Sequence, residues 1–367
     1  MLINPPFSKK LPGSFWGITT FFNPTGYNNK IKNYRLFRQS SKKQGLNLIA
    51  VELAFGNSLF ELTPDDAEIL IQLRGNEKNI MWQKEALLNV GLKALPVDCD
   101  KVAWVDCDIL FKNDLWIQET SKLLEEYVVV QPFSFVTQLP KGTLDMGKEE
   151  IKELEALPYG FKKGQKDLGF AYHYINTGIL TGNTGFAWAM RKDIIKKHSF
   201  YSKLLLGSSD FIMADLFCGF FQENLRWYLV NDKIYSHYIQ WANEVHKDTQ
   251  GSLRFTQGDI LHLWHGNLND RMYLFRAKIL GSLRYDPSCD AQLSPDGLLE
   301  WASDKPDLHQ AVKEYFQFRN EEGKNILTSL IFDEISNNIQ KINEIKGSRA
   351  YKIANALLNV LDQKNKK

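Results

Sequence analysis

Asp106 and Asp108 stand two residues apart in the stretch "KVAWVDCDILF", residues 101–111. If this apolar run is a strand, residues i and i+2 project from one face, so the two carboxylates lie side by side and repel unless something positive sits between them. A hard divalent ion such as Mg2+ or Mn2+ takes oxygen ligands and can tie carboxylates to the diphosphate of a nucleotide. The plain alternative is a solvated strand end. Two carboxylates seldom complete a catalytic metal site, and "DILHLWHGNLNDR", residues 259–271, offers His262 and His265. Along a strand, residues three apart face opposite ways, so one histidine is expected at the site and the other inside the fold. A diphosphate also needs cations. Arg271 and Arg276 follow closely and Lys84 opens "KEALLNVGL"; a guanidinium can grip phosphate oxygens through two hydrogen bonds. For all three the ordinary reading is surface charge.

The elements around these residues alternate. Residues 15–22 read as a strand, 28–45 as an amphipathic helix closed by Gly45, and 46–55 as a strand. Residues 59–75 carry short strand and helix-start signals, 80–96 are helical, and 101–111 form the strand ending in the acidic pair. A helix at 115–127 then precedes the buried strand "VVVQPF". Strands alternating with helices predict an α/β domain with a mainly parallel sheet, and such sheets bind ligands beyond the C-terminal ends of their strands. Asp106 and Asp108 sit at that end. By the same alternation Cys107 faces away and is expected to be a packed core thiol.

Residues 139–170 break the pattern with a run rich in Gly, Lys and Glu, expected to be an insertion or lid over the crevice. Beyond about residue 285 the pattern turns helical. A catalytic domain is therefore expected over 1–285 and a mainly helical extension over 286–367, with no internal repeat.

Composition narrows the partners. Lys and Arg total 45 against 43 Asp and Glu, and the net charge of +2 gives no electrostatic case for nucleic acid. Cys99, Cys107, Cys218 and Cys289 form no CxxC pair, which fits neither a zinc cluster nor a disulfide framework and suggests a reducing, cytoplasmic home. No stretch has the uninterrupted apolar length of a transmembrane segment. There is no GxGxxG after the first strand and no GxxxxGK[ST], so dinucleotide and P-loop folds are disfavoured.

The blocks "ALLNVGL" (residues 86–92) and "VDCD" (105–108) together resemble the corresponding helix and strand of GT-A glycosyltransferases, in particular the β-1,4-galactosyltransferase-like branch. The resemblance implies a Rossmann-like sheet flanked by helices, a Mn2+ (or Mg2+) ion, and a nucleotide-sugar donor with UDP as the nucleotide. It implies that Asp108 is the metal ligand, while Asp106 contacts the ribose or a metal-bound water. "HGNLNDR" matches the family pattern best at His265, leaving His262 as the alternative ligand. "LLLGSSDFIMADLF", residues 204–217, falls where the family carries its catalytic base, which places Asp210 in that role. The competing reading of Asp210 is an N-cap of the following helix. Ser209 stands where the family has a second acid that helps hold the acceptor, a departure that leaves the acceptor open. Trp188, Trp241 and Trp264 could stack on sugar rings or belong to the core.

The resulting expectation is a metal-dependent hexosyltransferase that moves a sugar from a UDP-sugar to a glycan or other hydroxyl acceptor, inverting the anomeric centre. The competing expectations are a sugar nucleotidyltransferase-like or nucleotide-sugar hydrolase activity on the same site, and a glycan-binding protein without turnover.

Overall fold

A computed structural model of the protein describes residues 7–142, 165–226, 228–229, 231–267, 269–273 and 275–323. In chain order the elements are β1 (Ser14–Phe22), α1 (Asn28–Lys43), β2 (Asn47–Phe55), β3 (Ile69–Gly75), α2 (Lys84–Lys93), β4 (Cys99–Val105), β5 (Ile109–Phe111), α3 (Trp116–Glu126), β6 (Val129–Gln131), β7 (Phe135–Gln138), β8 (Gln165–Leu168), α4 (Phe170–Thr177) and β9 (Ala187–Arg191). They continue with α5 (Lys192–His198), α6 (Ser209–Cys218), α7 (Phe221–Asn224), α8 (Asp232–Thr249), β10 (Leu253–Phe255), β11 (Asp259–His262), α9 (Arg276–Ser282), β12 (Ala291–Leu293), β13 (Leu299–Trp301) and α10 (Pro306–Phe318).

The expected α/β architecture is present. A seven-stranded sheet runs in the order β10-β6-β9-β4-β1-β2-β3, parallel throughout except for β9, which is antiparallel to both its neighbours. The order reverses between β1 and β4, so chain leaving these two strands departs to opposite sides and opens a crevice at their C-terminal ends. Asp106 emerges there. The near-continuous apolar runs of β1, β2 and β4 suit strands covered on both faces. The helix α2 lies close on β1 because of Gly91, where a Cβ would come within 2.5 Å of Ile18 Cγ2; only glycine permits that approach.

The run 101–111 is not one strand. It breaks at Asp106-Cys107-Asp108, and the halves enter different sheets: β4 the large one, β5 a four-stranded sheet ordered β5-β11-β7-β8. Both halves are buried, so apolar character on either side of the acids concealed the break. Cys107 lies in the turn and packs against the main core, its thiol 3.6 Å from the Thr20 carbonyl.

The chain divides into two compact units, one of residues 1–265 and 274–317 and the other of 266–273 and 318–367. Residues 286–317, expected in the helical extension, belong to the first unit and begin with the antiparallel pair β12–β13 before α10. The rest of that extension from 324 onward lies outside the described residues, as do 143–164 of the expected lid; 165–168 of that segment form β8, paired with β7. No helix of the described residues is long and apolar enough to cross a membrane.

Candidate active site

The turn after β4 sends its two aspartates to different partners. Asp108 meets both histidines. His265 Nε2 lies 3.0 Å from Asp108 Oδ2, His262 Nε2 lies 3.9 Å from Asp108 Oδ1, and the two Nε2 atoms are 2.9 Å apart. The register explains the convergence. β11 pairs antiparallel with β5, His262 opposite Ile109, and the ladder gains one more bond from the Leu263 N–H to the Asp108 carbonyl. β11 ends at His262, so strand alternation stops there and the turn through Trp264 brings His265 back to the same point. The expectation that only one histidine would face the acid is therefore corrected.

The donor set suits a divalent cation. One ligand atom from each of Asp108, His262 and His265 lies within 4.8 Å of the others. Cis ligands about 2.1 Å from an octahedral ion are about 3 Å apart, close to the spacing here. His262 donates its Nδ1–H to Gln138 Oε1, which fixes the tautomer and leaves the Nε2 lone pair pointing at Asp108 and His265. The Phe186 ring packs edge-on against His262 with centroids 4.8 Å apart. The Phe186 carbonyl accepts the Asp106 N–H at 2.7 Å, and its φ of 77° is costly for a residue with a bulky side chain. One strained residue thus braces both aspartate branches.

Asp106 is not among these three. Its Oδ1 lies 2.6 Å from Lys84 Nζ, and the same ammonium reaches the Asp210 carboxylate at 3.2 and 3.3 Å. The positive group beside Asp106 is a lysine. Lys84 is 8% exposed, which overturns its reading as surface charge. Burial pulls the Lys84 pKa down, but Asp106, Asp210 and Glu85 together hold it well above the ordinary lysine value. Burial raises the Asp210 carboxyl, Lys84 opposes that, and Asp106 adds to it; the net displacement is upward.

Asp210 does not cap its helix. α6 begins at Ser209 and its N-cap is Ser208, in the left-handed region at φ 78° with no side-chain cap bond. Asp210 occupies the first turn, favourable for an acid near a helix N-terminus, and spends its carboxylate on Lys84. Gly207, at φ +85°, holds a conformation strained for any other residue, and a Cβ would crowd the Trp82 ring at 3.1 Å and Arg276 Nη1 at 3.2 Å. Arg276 is buried as well: Nη1 donates to Ser208 Oγ at 3.3 Å, and the guanidinium lies 5.3 Å from the Tyr315 ring centre. Arg271 falls in the second unit, buried, with Nη1 donating to the Tyr273 hydroxyl. Trp188 is a core residue at 0% exposure. Trp241 is half-buried and donates to the His198 carbonyl, while the half-buried Trp264 carries Lys141 over its ring.

Glu85, Gln138 and Phe186 escaped the sequence reading. Glu85 had a faint signal: Ala86, Leu87, Leu88, Gly91 and Leu92 pack α2 on several sides, so charges at its start could be buried too. Gln138 and Phe186 had none, because their roles depend on long-range pairing.

No family model matches the chain, and no curated protein matches it. Similar solved structures include glucosyl-3-phosphoglycerate synthase from Mycobacterium tuberculosis, in complex with Mn2+, UDP and glucosyl-3-phosphoglycerate. It is 11% identical over 74% of this chain and 80% of that one, with a TM-score of 0.38. The catalytic domain of Drosophila β1,4-galactosyltransferase 7 is 13% identical over 66% of this chain and 64% of its own, TM-score 0.30. 4-Diphosphocytidyl-2C-methyl-D-erythritol synthase from Anaerococcus prevotii is 12% identical over 83% and 96%, TM-score 0.32. Similarity of this extent carries no reaction to this chain.

Proposed function

We propose that the protein is a GT-A glycosyltransferase that moves a sugar from a nucleotide diphosphate donor, a UDP-sugar, to a hydroxyl acceptor with inversion. The observation that carries the proposal is the placement, two residues apart on one turn, of an Asp-His-His donor set and a lysine-bridged pair of carboxylates. The first suits a cation that binds a diphosphate; the second suits proton transfer beside it.

Asp108, His262 and His265 would hold the ion. Two imidazoles favour Mn2+ over Mg2+, which prefers oxygen. When bound, the metal neutralises charge on the departing diphosphate. Asp106, fixed by Lys84, is placed for the donor ribose, with Lys84 and Arg276 as cations for the diphosphate. Asp210 takes the proton from the acceptor hydroxyl as its oxygen forms a bond to the anomeric carbon and the bond to the diphosphate oxygen breaks. Burial raises the basicity of Asp210, and the Lys84 ammonium opposes that rise by favouring the carboxylate form that accepts the proton. A single displacement of this kind inverts the centre. Four free thiols suit a cytoplasmic location, which belongs to the same proposal.

The test is incubation with Mn2+, a panel of sugar nucleotides and candidate acceptors. Mn2+-dependent release of nucleoside diphosphate with transfer to an acceptor is expected. Release of monophosphate would assign diphosphate cleavage, and binding without turnover would assign a glycan-binding role.

A further inference from the structure

Gly185 lies one residue before Phe186 and two before β9, beside the proposed base. Among the described residues, its chain neighbours left out, one heavy atom lies within 4 Å of where a Cβ at 185 would stand: Asp210 Oδ2, at 3.7 Å. The two ordinary reasons for a glycine do not apply here. Its φ is outside the left-handed region, so no left-handed strain bars an L residue. Nor does packing exclude a side chain. At Gly17, Gly91 and Gly169, also outside that region, a Cβ would come within 2.9, 2.5 and 3.0 Å of a neighbour, whereas 3.7 Å is ordinary van der Waals contact.

The position is fixed on both sides. The Thr184 carbonyl accepts the indole N–H of the fully buried Trp188 at 2.8 Å, the Gly185 carbonyl accepts the Ala187 N–H at 3.1 Å, and the Phe186 carbonyl accepts the Asp106 N–H at 2.7 Å. Across from it Asp210 is held by Lys84, whose ammonium lies 3.2 Å from Oδ2. A carboxylate oxygen accepts more than one hydrogen bond, and the Asp210 side chain stays 26% exposed. Anchored backbone without a side chain thus borders a carboxylate oxygen that still has a lone pair to offer.

We propose that Gly185 is a specificity-determining residue of the acceptor site: the acceptor carbon that bears the reacting hydroxyl seats against the Gly185 Cα, and the hydroxyl donates to Asp210 Oδ2. This rests on the glycosyl-transfer reading above. The proton of the hydroxyl passes to Oδ2, its oxygen forms the bond to the anomeric carbon, and the bond from that carbon to the diphosphate oxygen breaks. The ring of the next residue, Phe186, packs on the metal-site residue His262. A side chain at 185 therefore takes space from the acceptor and leaves the ion's ligands in place.

The test compares Gly185→Ala and Gly185→Val with the wild type in the full chain. The acceptor kcat/KM should fall about threefold with alanine and about tenfold or more with valine, as expected when one to three carbons are added to a substrate pocket. The Mn2+-dependent Kd of the UDP-sugar should stay within about twofold, since the loss is one of acceptor binding. Wild-type acceptor kcat/KM in Gly185→Val overturns the proposal. So does an equal loss of UDP-sugar affinity, which would give the place to the donor sugar. A second readout needs no turnover: a water-soluble carbodiimide should modify Asp210 readily in the wild type and slowly in Gly185→Val, as read by peptide mass spectrometry. Equal rates of modification overturn the proposal even if no sugar nucleotide proves a substrate. Lack of turnover by the wild type would count against the transfer reading alone.

Discussion

Replacing Lys84 with Met keeps the stem that fills the start of α2 and removes the charge shared by Asp106 and Asp210. Removing one partner of a buried ion pair costs about 3–5 kcal/mol, because the remaining charge stays buried. Here the two carboxylates are 28% and 26% exposed, so water meets part of the loss and the lower end applies, about 3 kcal/mol. With an unfolding entropy of about 2.1 cal/mol/K per residue, that corresponds to a fall in Tm of about 4 °C for this chain. The pH dependence follows from Asp210. Its folded pKa is raised, so its contribution to stability is full below its unfolded pKa and is lost as pH rises through the folded value. Without Lys84 the rise is larger, and so is the loss at neutral pH. The Tm deficit measured by calorimetry should be larger at neutral pH and narrow as the pH falls and Asp210 takes up its proton. Adding Asp210→Asn to Lys84→Met should recover part of it. A deficit independent of pH, or strict additivity of the two changes, would refute the shared-charge description.

Two further outcomes are expected. Asp210→Asn should reduce transfer by about 10²–10⁴-fold while donor affinity holds and Tm falls less than in Lys84→Met, since Lys84 keeps Asp106 as a partner; full activity would remove Asp210 as the base. Gln138→Leu, which deletes the acceptor for His262 Nδ1–H, should weaken Mn2+ binding about 10–100-fold in a calorimetric titration without unfolding the protein, and unchanged affinity would show that the tautomer is set otherwise.

The alternation that places the site was legible because β1, β2 and β4 carry apolar runs separated by well-marked helices. The turn after β4 was legible as a cluster of acids, but its geometry was not. Strand alternation put Asp106 and Asp108 on one face, whereas the chain turns between them and commits each to a different sheet and partner. The same rule separated His262 from His265 because nothing local marks His262 as the last residue of β11; its pairing with Ile109 decides that. Lys84 looked like surface charge because its two partners lie 22 and 126 positions away in the chain. The sequence favoured Asp210 as the base but left capping as a rival, and one residue of helix boundary separates the two.

Titration calorimetry of Mn2+ with UDP present, on the wild type and on Asp108→Ala, His262→Ala and His265→Ala, tests the metal assignment on which the proposed chemistry depends. One ion per chain should bind to the wild type, and each substitution should abolish that binding while the far-UV circular dichroism stays unchanged, His262 counting as fully as His265. Wild-type Mn2+ binding by folded Asp108→Ala would contradict the assignment.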